Sequence, residues 1–311
     1  MEQRSMERLR GVMPVLVSPM HADGRPDHAG YGRLLDYLLQ YPIAGLWALG
    51  SGGENFHMSY AHRLEATRII AEYAGGRTPL LVGSGDPVLS EIYRFFDDTA
   101  HLPVDGYNLL PTDRKLSASF TIDYCGMIAD RAPKPLWLYS NPARALLFTA
   151  DSVKILAQHP NIAGMKVGGY DLQNIIPLAM LNSQAFQVLG AGGANHLAHL
   201  ALGVMCCTMS SASSFPKQHV EVQTLWEQGR IDEARERAFA INRLLRDIPR
   251  GQNTESSAEE KAVLELLGIC ERWVYPPFKP VSDDVMPALR SVLVAHGILE
   301  PAHAATSVAA G

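Results

Sequence analysis

Residues 136–166 read LWLYSNPARALLFTADSVKILAQHPNIAGMK. Two short apolar runs, 136–139 and 162–166, enclose the turn signal Asn141-Pro142 and a helical stretch over 150–158. Apolar runs that do not alternate with polar residues mark strands buried on both faces, as in a parallel sheet. The segment therefore reads as strand, helix, strand.

The same alternation extends in both directions. Strands are expected over 12–17, 45–48, 80–83, 106–110, 136–139, 162–166, 186–189 and 204–208. Pro14 interrupts the first, because proline cannot donate to a ladder. Helices are expected over 31–39, from an N-cap at Ser59 to a stop at Gly75, and over 88–100, 119–130, 150–158, 172–181 and 197–202. Eight strand–helix repeats predict a (β/α)8 TIM barrel. An open doubly wound sheet usually carries a G-x-G-x-x-G turn after its first strand, and SPMHADGRPD stands there instead. Past Ser214 the strands cease. Helices over 218–228, 231–246, 258–267 and 283–296, with Pro276-Pro277 between the last two, predict a C-terminal helical extension. The expected division is 1–214 for the barrel and 215–311 for helices packed on it, with no low-complexity linker between them.

The chain has 311 residues, 47% hydrophobic and 19% charged, which suits a barrel of ~250 residues with an extension. Its net charge of −5 and scattered basic residues exclude a nucleic-acid patch. The four cysteines form no C-x-x-C pair and no histidine cluster has metal spacing, so free thiols and no metal are expected. The N-terminus, MEQRSMERLRGVM, is charged where a signal peptide needs an apolar core. No stretch approaches the ~20 apolar residues of a membrane span. These features predict a cytoplasmic protein, and the Ala-rich tail after Leu299 reads as a frayed end.

In such a barrel the site lies at the C-terminal ends of the strands. Lys166 ends an apolar strand there. Burial lowers a lysine's pKa, and the neutral amine is a nucleophile for carbonyls. Tyr139 ends the preceding strand, where its phenol can pass a proton. Asn141 and Arg144 follow in the next turn, and a guanidinium there can bind a carboxylate. Gly50 to Glu54, GSGGE, follows strand two, and successive N–H groups in a glycine turn cradle anions. Gly190, in LGAGG after strand seven, leaves room for a substrate. Each feature alone has a structural explanation: a rim lysine, a strand-closing tyrosine, turns that need glycine. Their order gives them weight.

Taken with GVMPVLVSP, DGRPD, PLLVGSG, PNIAGMKVGG and EEKAVLELLG…PPF, these segments resemble the dihydrodipicolinate synthase / N-acetylneuraminate lyase family of class I aldolases, from about Arg10 to Leu299. The resemblance implies that Lys166 is the Schiff-base lysine and Tyr139 the proton-shuttling tyrosine. It implies that the turn at Ser51 and Gly52 holds a pyruvate carboxylate through backbone N–H groups. It also implies a homotetramer, a small 2-oxo acid substrate and no cofactor.

Departures narrow the reading. The family turn usually reads G-T-T-G-E or G-S-T-G-E, and Gly52 lacks the second hydroxyl, for which water, Ser51 or Ser140 would have to substitute. Thr112 and Asp113 stand where synthases of the family carry aromatics. The motif Y-S-N-P-A-R replaces the commoner Y-N-x-P and is reminiscent of the hydratase-aldolase branch, whereas Arg144 matches a synthase position. The leading expectation is a lyase that makes or breaks a C–C bond of a 2-oxo acid such as pyruvate, with a bulkier or less hydroxylated substrate than the sialic acid lyases take. A dehydratase of a 2-oxo deoxy sugar acid, dihydrodipicolinate synthase itself, and a 2-oxo-acid-binding paralogue without turnover are the alternatives.

Overall fold

The computed structural model describes residues 8–111, 117–141, 148–169, 171–250 and 257–301. Eight parallel strands form one sheet: β1 (Gly11–Pro14), β2 (Leu46–Ala48), β3 (Leu80–Gly83), β4 (Gly106–Leu109), β5 (Leu136–Ser140), β6 (Ile162–Val167), β7 (Gln187–Ala191) and β8 (Cys206–Met209). From β2 to β8 each strand pairs with the next in sequence, and β1 pairs with β8, so the sheet curls into a nearly closed barrel.

The seam between β1 and β2 is thin. It consists of a bridge from Val15 to Trp47, a bond from the Ala44 N–H to the Val12 carbonyl (2.7 Å) and one from the Leu16 N–H to the Trp47 carbonyl (3.0 Å). Val12 and Leu16 thus turn their backbone polar groups toward β2, and Pro14 falls in the same alternating series. Its missing N–H removes the rung between them. The run expected over 12–17 is a regular strand to Pro14, and Val15 continues it as a single bridge to Trp47.

The helices alternate with the strands as α1 (His28–Leu38), α2 (Tyr60–Ala74), α3 (Leu89–Thr99), α4 (Ala118–Arg131), α5 (Ala150–Leu156), α6 (Leu172–Ala179) and α7 (His196–Ala201). Several begin on side-chain caps. Ser59, Ser117, Thr149 and Asp171 accept from the N–H groups of His62, Phe120, Ser152 and Asn174. After β8, α8 (Pro216–Glu227) packs on β1 and completes the ring, followed by α9 (Ile231–Asp247), α10 (Ser257–Leu266) and α11 (Met286–Ala295). The last begins three residues later than the pattern predicts, with Pro287 in its first turn. Among the described residues no helix is long and apolar enough to cross a membrane.

Two apolar layers hold the barrel. Between strands and helices lies the larger core, with Leu34, Leu35, Ile70, Phe95, Phe96, Leu138 and Met165. Inside the barrel are Met13, Trp47, Leu81, Trp137, Leu189 and Cys206. The two indoles need space, which glycine supplies. A Cβ on Gly164 would stand 2.4 Å from the Trp137 ring. A third cluster, around Phe215, Leu244, Val263, Leu289 and Leu293, joins α9, α10 and α11. The four cysteines are free and buried.

Candidate active site

β5 and β6 run in register, with Tyr139 beside Lys166, and β6 sets Lys166 beside Leu189 of β7. Leu189 and Tyr139 belong to the interior cluster, so all three side chains enter the barrel. Lys166 Nζ lies 4.4 Å from the centroid of the Tyr139 ring and 5.1 Å from that of Trp47. The lysine is only 5% exposed. Its amine is thus held between two aromatic rings at the mouth of the barrel. Asn141 Nδ2 donates to the Tyr139 hydroxyl at 2.9 Å, which joins two of the residues singled out from the sequence. Arg144 lies outside the described residues, as do Thr112 and Asp113.

The turn after β2 is built to leave two N–H groups available. Ser51–Gly53 form a single 3-10 turn. The Gly50 carbonyl accepts from the Gly53 N–H (3.0 Å) and the Ser51 carbonyl from the Glu54 N–H (3.1 Å). In a trans peptide the N–H points opposite the carbonyl. The N–H groups of Ser51 and Gly52 therefore face away from these bonds, and no described residue accepts from them. Leu49 and Glu54, on either side of the turn, have φ of 49° and 60° and are the only non-glycine residues with positive φ among those described. Strain of this kind persists where the surroundings over-determine it.

Those surroundings are visible. Ser18 Oγ donates to the Gly53 carbonyl (2.7 Å), and Ser257 Oγ to the Gly52 carbonyl (3.0 Å). The Glu54 carboxylate lies 2.6 Å from Lys261 Nζ, both side chains fully buried, and accepts from the Tyr275 N–H at 2.7 Å. Lys261 also donates to the Trp273 carbonyl (2.7 Å). Helix α10 of the extension thereby clamps the turn from outside the barrel. The sequence analysis did not single out Lys261, and nothing local in EEKAVLELLG marks Glu54 as its partner.

Gly52 leaves less empty space than its sequence suggests. A Cβ there would lie 3.0 Å from Val15 Cγ1 and 3.2 Å from Ser210 Oγ. Ser140 is fully buried, and its Oγ accepts from the Phe148 N–H (3.3 Å). Ser210, four residues past Cys206 and on the same inward-facing series, supplies the hydroxyl next to Gly52. Counting by twos from the inward face of β8 would have found it.

Gly190 corrects an expectation. Its missing side chain would point behind β7, where a Cβ would stand 2.7 Å from both Cys207 Sγ and His199 Cγ. The room it leaves is taken by His199 and Cys207, and β7 presents Leu189 and Ala191 to the barrel interior. The Gly190 carbonyl accepts from Thr208 Oγ1 (3.1 Å). Behind this strand His196, His199 and His219 are all buried. His196 bonds Gln223 (3.0 Å) and His219 bonds Ser211 (2.9 Å). Burial is the main cause that lowers all three, His196 to about 4 and His219 to about 3. They are neutral packing groups near neutral pH.

A buried lysine between two rings, a tyrosine held by an asparagine, and a strained turn with two outward N–H groups share one barrel mouth. The chain matches the model of the dihydrodipicolinate synthetase family over residues 8–296. It is 27% identical over 297 residues to the 4-hydroxy-tetrahydrodipicolinate synthase of Acidiphilium cryptum, covering 93% of this chain and 99% of that one. It is also 27% identical over 306 residues to a probable 2-dehydro-3-deoxy-D-pentonate aldolase of Escherichia coli, covering 94% and 99%. In fold it superposes on the dihydrodipicolinate synthase of Bacteroides thetaiotaomicron with a TM-score of 0.88 at 24% identity, covering 92% of this chain and 98% of that one. The barrel, the match along nearly its whole length and the lyase relatives agree: the chain belongs to the dihydrodipicolinate synthetase family, as a lyase that acts on a 2-oxo acid through a lysine Schiff base.

Proposed function

We propose that Lys166 is the residue that forms this Schiff base, and that the reaction is aldol cleavage or condensation yielding or consuming pyruvate. The observation that carries the assignment is the placement of the Lys166 amine, 5% exposed, against the Tyr139 ring at the barrel mouth. The neutral amine adds to the C2 carbonyl, and loss of water gives the iminium, an electron sink. A base takes the proton of a hydroxyl on C4, the C3–C4 bond breaks, and its electron pair flows into the iminium to leave an enamine. The aldehyde departs, C3 is protonated, and water releases pyruvate. Tyr139, oriented by Asn141, is the group placed to carry these protons. The N–H groups of Ser51 and Gly52 hold the carboxylate and fix the carbonyl before Lys166. Arg144 is assigned to a second polar group of the substrate on its place in the sequence.

The relative named as an aldolase supports cleavage over dehydration. A homotetramer in the cytoplasm is part of this reading, supported by the family and by four free, buried thiols. The deciding test is borohydride reduction with pyruvate followed by peptide mapping. A stable adduct on Lys166, absent from Lys166→Ala, is expected. An adduct elsewhere, or none with any 2-oxo acid, overturns the assignment. Free pyruvate among the products marks the aldolase, and an unbroken carbon skeleton the dehydratase.

A further inference from the structure

Trp47 on β2 is fully buried in the interior cluster of the barrel. Its ring centroid lies 5.1 Å from Lys166 Nζ, and the ring meets that of Tyr139 edge-on, with centroids 6.3 Å apart at 78°. Two features show that an indole is not the easy way to fill this space. Its Nε1–H is buried and finds no acceptor among the described residues, a loss that a phenyl ring or an aliphatic side chain would not incur. A Cβ on Gly50 would stand 2.7 Å from Nε1, so the indole also obliges the chain to carry glycine where the turn after β2 begins.

We propose that the face of Trp47 stabilises the positive charge that the Schiff base creates on Lys166 Nζ. The inference rests on the assignment of Lys166 above. Addition of the neutral amine to a C2 ketone, with uptake of one proton and loss of one water, turns an uncharged nitrogen into an iminium. The lysine is 5% exposed, so little water reaches that cation. An aromatic face within ~6 Å attracts a cation, tryptophan most strongly, and the attraction grows when the site is desolvated. The indole of Trp47 meets both conditions. Tyr139 lies closer, at 4.4 Å, but its phenol exchanges protons during the cycle, whereas the indole stays neutral. The unpartnered N–H is thus the concession for the strongest cation-binding face among the side chains.

Other ionisable groups surround the site. Tyr139 on β5 and Cys206 on β8, whose thiol burial pushes up to about 12, share the interior cluster, and β7 presents Leu189 there. Glu54, ending the turn after β2, is engaged with Lys261, and Arg250, Glu259 and Glu260 line the adjoining cavity. These groups are common to every variant of Trp47 and cancel when variants are compared at one pH.

The test measures the half-saturating pyruvate concentration for reductive trapping on Lys166 in the full chain, at about pH 6 and about pH 9. Mono-, di- and trifluorinated tryptophan are placed at position 47 alone. Fluorine draws electron density from the ring face and nearly preserves its shape, and with no acceptor on Nε1 no hydrogen bond changes with it. Toward the alkaline end, where a free lysine is neutral, imine formation creates the charge, and the half-saturating concentration is expected to rise with each fluorine. Trp47→Leu is expected to raise it ~10-fold there, a difference of ~1.4 kcal/mol, with Trp47→Phe in between. Toward the acid end an ammonium already carries the charge, and the rise is expected to shrink. A flat fluorinated series at the alkaline value overturns the proposal and leaves Trp47 a packing residue, as does tighter trapping on fluorination. Absence of any Lys166 adduct in the native chain is a separate result, which removes the functional reading and this inference with it.

Discussion

Glu54 and Lys261 stand 207 positions apart and meet at 2.6 Å with no exposed side-chain surface, one at the end of the turn after β2 and the other in α10. The pair fixes the residue at φ 60° that ends the turn. Removing one partner of a buried pair leaves an uncompensated charge and costs ~3–5 kcal/mol. Glu54→Gln and Lys261→Met are each expected to lower the urea midpoint by that measure. The double variant is expected to lose clearly less than the sum. Additive losses would mean that the two groups do not interact.

Asn141 holds the Tyr139 hydroxyl at 2.9 Å. Tyr139→Phe is expected to reduce kcat by ~10²–10⁴, the range of general acid–base catalysis, with KM little changed. Asn141→Ala loses an orienting bond worth ~1 kcal/mol, so a fall of about 5-fold is expected. Steady-state kinetics separate the two, and an unchanged kcat in Tyr139→Phe would remove the proton-transfer role.

Gly52 and Ser210 compete for one volume, since a Cβ on Gly52 comes within 3.2 Å of Ser210 Oγ. Restoring a threonine at 52 is therefore expected to harm the enzyme. Gly52→Thr overpacks the mouth at ~1–3 kcal/mol and lowers kcat/KM about 10-fold. Adding Ser210→Gly is expected to recover most of the loss. No recovery would show that the clash with Val15 dominates.

Three buried histidines set an acid limit on stability. Burial holds His219 at about 3 and His196 at about 4, against an ordinary 6.5. Between those values and 6.5 the unfolded chain binds protons that the folded chain does not. Stability is therefore complete above 6.5 and falls as the pH drops through that window, by up to ~1.4 kcal/mol per histidine per unit. Urea denaturation at about pH 7.5 and about pH 5 should give a lower midpoint at the acid value. His219→Gln should lessen the difference, and an identical slope in that variant would assign the effect to other groups.

The sequence by itself determined the architecture and the position of Lys166 at the end of β6. Eight short apolar runs, most of them unalternating and each followed by a helical stretch, suit a parallel sheet covered on both faces, and strand register sets Tyr139 beside Lys166 at the same end. Local signals of this kind depend on neighbours within a few positions, so one chain displays them. Four features were decided only by tertiary structure. Gly190 reads like Gly52 in the sequence, yet its vacancy opens behind β7, because side chains on a strand alternate between faces. Ser210 meets Gly52, and Lys261 meets Glu54, across more than a hundred residues, a proximity that exists only once the barrel closes and α10 packs over its mouth. The cavity lined in part by Phe215, Leu245, Ile248 and Val263 is of the same kind, since these walls come from α9, α10 and the segment after β8. Pattern within the chain specifies elements, and the spaces between elements arise only from their packing.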